Sequence, residues 1–161
     1  MEPAPVIAKR TILLGDSITE QYGAFYAALY PDENAIRPGG NSQDPSTHPW
    51  AKSLAAARAG DVIVLQDYHA DTDSPVEPWK AAWRSLVDVA MSTAARVVIL
   101  VGHQPSQSNE GFFASLPAEH LDMVPADLFD CVHYDYAGSI AMAKLLKTYL
   151  DEPVPPLPPT G

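Results

Sequence analysis

Three apolar, largely β-branched runs punctuate the chain: Thr11–Leu14, Asp61–Leu65 and Arg96–Val101. None alternates polar with apolar, as a strand with one wet face would. Continuous apolar runs fit strands covered on both faces, the habit of parallel sheets between helices. A weaker fourth run lies near Asn34–Arg37. Between these runs the period changes. Ile18, Tyr22, Phe25, Tyr26 and Leu29 share one helical face, and Pro31 closes that helix. Pro49 is placed to open a second helix carrying Trp50, Leu54 and Ala57. Trp79, Ala82, Trp83, Leu86, Val87 and Ala90 form a third stripe. Tyr136, Ile140, Ala143, Leu146 and Leu150 form the last, with Asp135 placed to cap it.

Strands alternating with helices predict βαβ units, and so an α/β fold with a mostly parallel sheet between helical layers. Two segments carry no period. Pro38–His48 is rich in Gly, Asn, Ser and Asp; Gly102–Pro125 scatters Gln, Ser, Asn and Pro and offers no clear fifth strand. Both follow strands, which puts both on the ligand-binding rim, and loops longer than ~12–15 residues are often functional. The run from Pro153 to Pro159 can be neither helix nor inner strand. Residues 1–150 are read as one domain and 151–161 as a Pro-rich tail.

Composition narrows the function. The 161 residues suit one domain with a sizeable core. A net charge of −10 disfavours nucleic acid and anionic membrane surfaces as partners. The single cysteine, Cys131, allows no intrachain disulfide and reads as a small buried side chain. No run approaches the ~18 apolar residues of a membrane span, and residues 1–9 lack the apolar segment of a signal peptide. A reduced, cytoplasmic protein is the expectation.

The chemistry concentrates at the end of the first run. There Leu14-Gly15-Asp16-Ser17 passes from strand through a tight turn into a helix. A hydroxyl at the carboxyl end of a strand stands where open α/β sheets bind ligands. A serine nucleophile needs an imidazole base, a carboxylate to orient it, and donors for the oxyanion. Asp130-Cys131-Val132-His133, before the last helix, offers the acid and the imidazole. The amide N–H groups behind Ser17, the close backbone approach allowed by Gly39-Gly40, and the Gln66 side chain offer donors. Asp16 is suited to holding the turn through local backbone hydrogen bonds. Ser17 could equally serve only as a helix cap.

In this order Gly15-Asp16-Ser17, Gly39-Gly40-Asn41, a strand ending in Gln66, and Asp130-x-x-His133 resemble the motif blocks of the GDSL/SGNH hydrolase superfamily, over roughly residues 11–148. The resemblance implies a three-layer α/β/α sandwich with a flavodoxin-like sheet. It implies a serine esterase or deacetylase, an acetylesterase being the favoured form. Ser17 would be the nucleophile, His133 the base and Asp130 its orienter. The N–H groups of Ser17 and Gly40 (or Gly39) and an amide, Gln66 where the family has asparagine, would form the oxyanion hole. Asn41 and His103 fall on the substrate rim. The implied partner is a small acyl ester or acetylated carbohydrate, with no cofactor and no metal. Asp67, His69, Asp71 and Asp73 alternate after the third strand, but a solvated acidic loop explains them better than a metal site. Two other readings compete: a catalytically inactive binding module on the same fold, and a flavodoxin-type nucleotide or flavin domain, which the acidity and the lack of a Gly-rich or Lys-bearing loop disfavour. Oligomeric state and the choice between hydrolysis and acyl transfer stay open.

Overall fold

A computed structural model describes residues 9–15, 17–38, 50–66, 77–93, 95–101, 112–113, 115–124 and 134–154, the side chains of 51, 52 and 77–79 excepted. The strands are β1 (Thr11–Leu14), β2 (Ala35–Ile36), β3 (Val62–Gln66), β4 (Arg96–Val101) and β5 (Glu119–Asp122). The helices are α1 (Ser17–Leu29), α2 (Trp50–Ala55), α3 (Glu77–Ser92) and α4 (Tyr136–Asp151), with a 3₁₀ turn at Pro31–Glu33. The strands form one sheet in the order β2-β1-β3-β4-β5. Every pairing among the described strands is parallel. The architecture is α/β, as the alternation of periods predicts.

Strand parity divides the sheet's two faces. Ile12, Leu14, Ile63, Leu65, Val97, Ile99 and Val101 pack against Trp50 and Leu54 of α2 and Trp83, Leu86, Val87 and Ala90 of α3. Leu13, Val62, Val64, Val98 and Leu100 pack against Ile18, Tyr22 and Tyr26 of α1 and Met142, Ala143, Leu146 and Leu150 of α4. Both faces being covered explains why the runs do not alternate. Among the described residues no helix is long and apolar enough to cross a membrane.

Several boundaries differ from the sequence reading. The second apolar run pairs as Val62–Gln66, because Asp61 turns its carboxylate back onto the chain entering β1. The weak run near Asn34–Arg37 shrinks to two paired residues at the sheet edge. Glu119–Asp122, inside the segment read as aperiodic, is a strand: it pairs with Val98–Val101, and only Leu121 is strongly apolar, so no period announces it. Leu29 is 45% exposed and Tyr136 74% exposed, because each lies at a helix end past the edge of its packed face. Ala57 lies beyond α2 yet packs on the core. Asp135 caps α4 as expected, its Oδ1 accepting from Gly138 N at 2.6 Å.

The amino-terminal edge of the sheet is fastened by three buried carboxylates. Asp61, 1% exposed, accepts from Arg10 Nη2 at 2.6 Å and from the backbone N–H groups of Arg10 and Arg58, both at 3.1 Å. This ties the start of β1 to the start of β3. Glu33 pairs with Lys9 at 2.9 Å and Lys147 at 3.0 Å, while Thr11 and Tyr26 hydroxyls donate to it. Glu119 accepts the Arg96 guanidinium through Nη2 at 2.8 Å and Nε at 2.9 Å, and Tyr149 OH at 3.0 Å. Burial alone would raise the Asp61 carboxyl. The Arg10 guanidinium and the N–H groups of Arg58 and Arg10 outweigh it and hold the group below the ordinary carboxylate range. Glu33 follows the same balance: burial raises it, and Lys9 and Lys147 bring it down further.

A carboxyl depressed on folding stabilises the native state above its unfolded pKa and stops doing so as pH falls through its folded pKa. Asp61→Asn is therefore expected to cost about 3 kcal/mol at pH 7, since it leaves a partly buried guanidinium without its charge partner. The gap between wild type and variant, read from urea unfolding, should narrow as pH drops below about 4. A gap that stays constant from pH 7 to pH 2.5 (chosen to lie below the unfolded value of about 3.9) would contradict the account.

Candidate active site

The sheet order leaves one place where successive connections depart in opposite directions, between the carboxyl ends of β1 and β3. β1 leads outward to β2, and the chain then crosses back to β3. Open α/β sheets bind ligands at this crevice. The register pairs Leu14 with Leu65, which sets Gly15 beside Gln66. Ser17 stands two residues beyond Gly15, is exposed to solvent and is the first residue of α1. The first turn of any α-helix holds backbone N–H groups without intrahelical partners, and the dipole there favours negative charge. Thirteen residues long, α1 can direct both at an anion forming near Ser17.

Parity fixes what Gln66 does. Positions 62, 64 and 66 of β3 face α1, and the Gln66 side chain is wholly buried on that face. Thr19, 2% exposed and in the first turn of the helix, donates its hydroxyl to Gln66 Oε1 at 2.5 Å. The contact runs across the space that a side chain on residue 15 would fill. A Cβ there would meet Thr19 Oγ1 at 1.9 Å, Gln66 Oε1 at 2.7 Å and Thr19 Cβ at 2.8 Å. Only glycine lets helix and strand approach so closely. Thr19 did not stand out in the sequence. The signal available was a polar residue one position after Ile18, on the inward face and within one turn of the candidate nucleophile.

The far side of the carboxyl rim is fixed by Tyr134, two residues before α4. Tyr134 OH donates to Val124 O at 2.8 Å, just past the end of β5. Met123 N in turn donates to Val101 O at 2.8 Å. The chain thus begins α4 from the same rim that carries Ser17, and α4 packs beside α1 on one face of the sheet. Of the predicted site residues, Ser17 and Gln66 are described, and both are at the switch crevice. Asp16, Gly39, Gly40, Asn41, His103, Asp130, Cys131 and His133 lie outside the described residues, as do Asp67, His69, Asp71 and Asp73. Among the described residues no group of three or more His, Cys, Asp or Glu side chains is gathered as a metal site would be.

Strand order 2-1-3-4-5 between two helical layers defines a flavodoxin-like α/β/α class. No protein-family model and no curated protein sequence matches the chain. Solved structures do share its fold. YxiM of Bacillus subtilis superposes with a TM-score of 0.69 at 14% identity, covering 92% of this chain, which spans only 57% of that protein. A Bacteroides fragilis protein assigned as an acylhydrolase gives 0.60 at 19% identity, covering 88% of this chain and 86% of its own. The psychrotrophic esterase EstA from a Pseudoalteromonas species, in a form inhibited by monoethylphosphonate, gives 0.58 at 12% identity, covering 91% of this chain and 100% of its own.

The close approach at residue 15 makes a direct demand on stability. Gly15→Ala should lower the unfolding free energy by about 2 kcal/mol or more, since α1 must move off the sheet to admit the methyl group. Urea denaturation measures this, and Gly60→Ala provides the contrast: its Cβ meets nothing, and only its φ of +92° is costly.

Proposed function

We propose that the protein is a serine ester hydrolase acting on small acyl esters, with acetyl esters, including those of carbohydrates, favoured. In this reading Ser17 Oγ attacks the acyl carbonyl while His133 takes its proton. Asp130 orients the imidazole and stabilises the imidazolium. The tetrahedral oxyanion is held by the N–H of Ser17, by the N–H of Gly40 or Gly39, and by the Gln66 amide. His133 then passes the proton to the departing alcohol, and water releases the acyl group from Ser17. Asn41 and His103 would touch the substrate at the rim. This chemistry calls for no metal or cofactor.

The observation that carries the reading is the solvent-exposed Ser17 at the start of α1, at the crevice where β1 and β3 diverge, with the buried Gln66 beside Gly15 two residues before it. The fold shared with the phosphonate-inhibited esterase and with the assigned acylhydrolase supports it. So does Tyr134, one residue after His133 in the chain, whose hydroxyl donates to Val124 O at the same rim.

A fluorophosphonate probe tests the proposal, because a phosphonyl group traps an activated serine as a tetrahedral adduct. Wild-type protein should gain one adduct, mapped to Ser17 by peptide mass, and Ser17→Ala should gain none. Hydrolysis of p-nitrophenyl acetate should fall by about 10³-fold or more in Ser17→Ala and in His133→Ala. Rates should decline as the acyl chain of the p-nitrophenyl ester lengthens. A folded wild-type protein that takes no label and turns over no ester would instead be a binding module on this fold.

A further inference from the structure

We infer that Thr19 is a positioning residue for the Gln66 amide, selecting which end of that amide is offered to the oxyanion. The inference rests on the serine-hydrolase reading and extends it to a residue that touches no substrate. A primary amide has two chemically opposite ends: a carbonyl that accepts and an NH₂ that donates. Only the NH₂ end stabilises an oxyanion; the carbonyl end would repel it. A glutamine also has three rotatable side-chain bonds, so an unanchored one loses substantial rotamer freedom whenever it is held in one pose. The Thr19 hydroxyl supplies orientation and an anchor at the carbonyl end. Thr19 Oγ1 donates to Gln66 Oε1, so the carbonyl end is turned toward α1 and the nitrogen lies on the opposite side of Cδ.

Three features of the fold converge on this contact. Strand parity sends residue 66 toward α1. The β1–β3 register puts the amide against Gly15, and the missing side chain there opens the gap through which hydroxyl and carbonyl meet. Thr19 sits on the buried face of the same helix that carries Ser17 at its start, so nucleophile and amide anchor move as one rigid element. A merely structural pair could be placed anywhere along α1. This one is two residues from the nucleophile and acts on the amide proposed to receive the oxyanion.

The test uses the full-length protein and p-nitrophenyl acetate. Thr19→Val keeps the shape and deletes the hydroxyl; Thr19→Ala does the same with less bulk and serves if the valine variant does not fold. Each should lower kcat by about 10- to 100-fold, the range of losing or misaligning one oxyanion donor, with KM changed less than about twofold, as expected when only the transition state is affected. Thr19→Ser should bring kcat back to within about threefold of wild type, because the hydroxyl is restored. In a Gln66→Ala background the Thr19 substitutions should cost nothing further in kcat, since residues that act through one another are not additive. Unchanged kcat in Thr19→Val or Thr19→Ala overturns the inference, as does an equal loss with and without Gln66. Both of those outcomes leave the Ser17 reading standing. A wild-type protein without ester turnover and without phosphonate labelling removes both.

Discussion

The close contact of helix α1 with strand β3 over Gly15 governs the geometry of the carboxyl rim. A hydrogen bond from Thr19 to Gln66 spans the two elements at the point where the sheet's connections diverge. It satisfies a buried amide oxygen that would otherwise cost about 1–3 kcal/mol to leave unpaired. It also requires residue 15 to have no side chain. The seat of α1 on the sheet, the β1–β3 register and the position of Ser17 at the start of α1 are therefore linked. A shift in any one of them moves the others.

The two ends of the sheet are built on different principles. At the amino edge, the carboxylates of Asp61, Glu33 and Glu119 are sunk among Arg10, Lys9, Lys147 and Arg96, and each also accepts neutral donors. Buried ion pairs of this kind stabilise only when every lone pair is occupied, and they impose one arrangement on the chain. Burial and the neighbouring Glu33 carboxylate push the Tyr26 phenol above its ordinary range, so it remains a donor in that cluster. At the carboxyl rim the described polar groups include Ser17 at a helix start, the Thr19–Gln66 pair and the Tyr134 hydroxyl.

The α/β class, the three central strands and the long helices were legible in the sequence because burial on both sheet faces leaves unbroken apolar runs, and one-sided helix burial leaves stripes. Strand β5 was not legible. Its residues Glu119 and His120 spend their side chains on Arg96, Tyr149 and the Phe113 carbonyl, so its polar letters record hydrogen bonds rather than exposure. β2 is two residues long, too short for any period. At the site, Ser17 could be read from its place between a strand and a helix. The place of Gln66 was legible as a polar end to an apolar strand. Thr19 was hidden, since a hydrogen bond between residues 47 apart leaves no spacing to find.

The Glu33 cluster bears on how the polypeptide reaches this state. Lys147 reaches Glu33 across 114 positions, and the faces of α1 bearing Tyr22 and Tyr26 are covered by α4 from near the other end of the molecule. On a ribosome, the first strand–helix unit must therefore emerge and wait with an aromatic face wet and a carboxylate half-neutralised. Contacts of such long range form late and slowly. The β1–α1 unit thus depends on α4 to cover its aromatic face and on Lys147 to complete the Glu33 cluster.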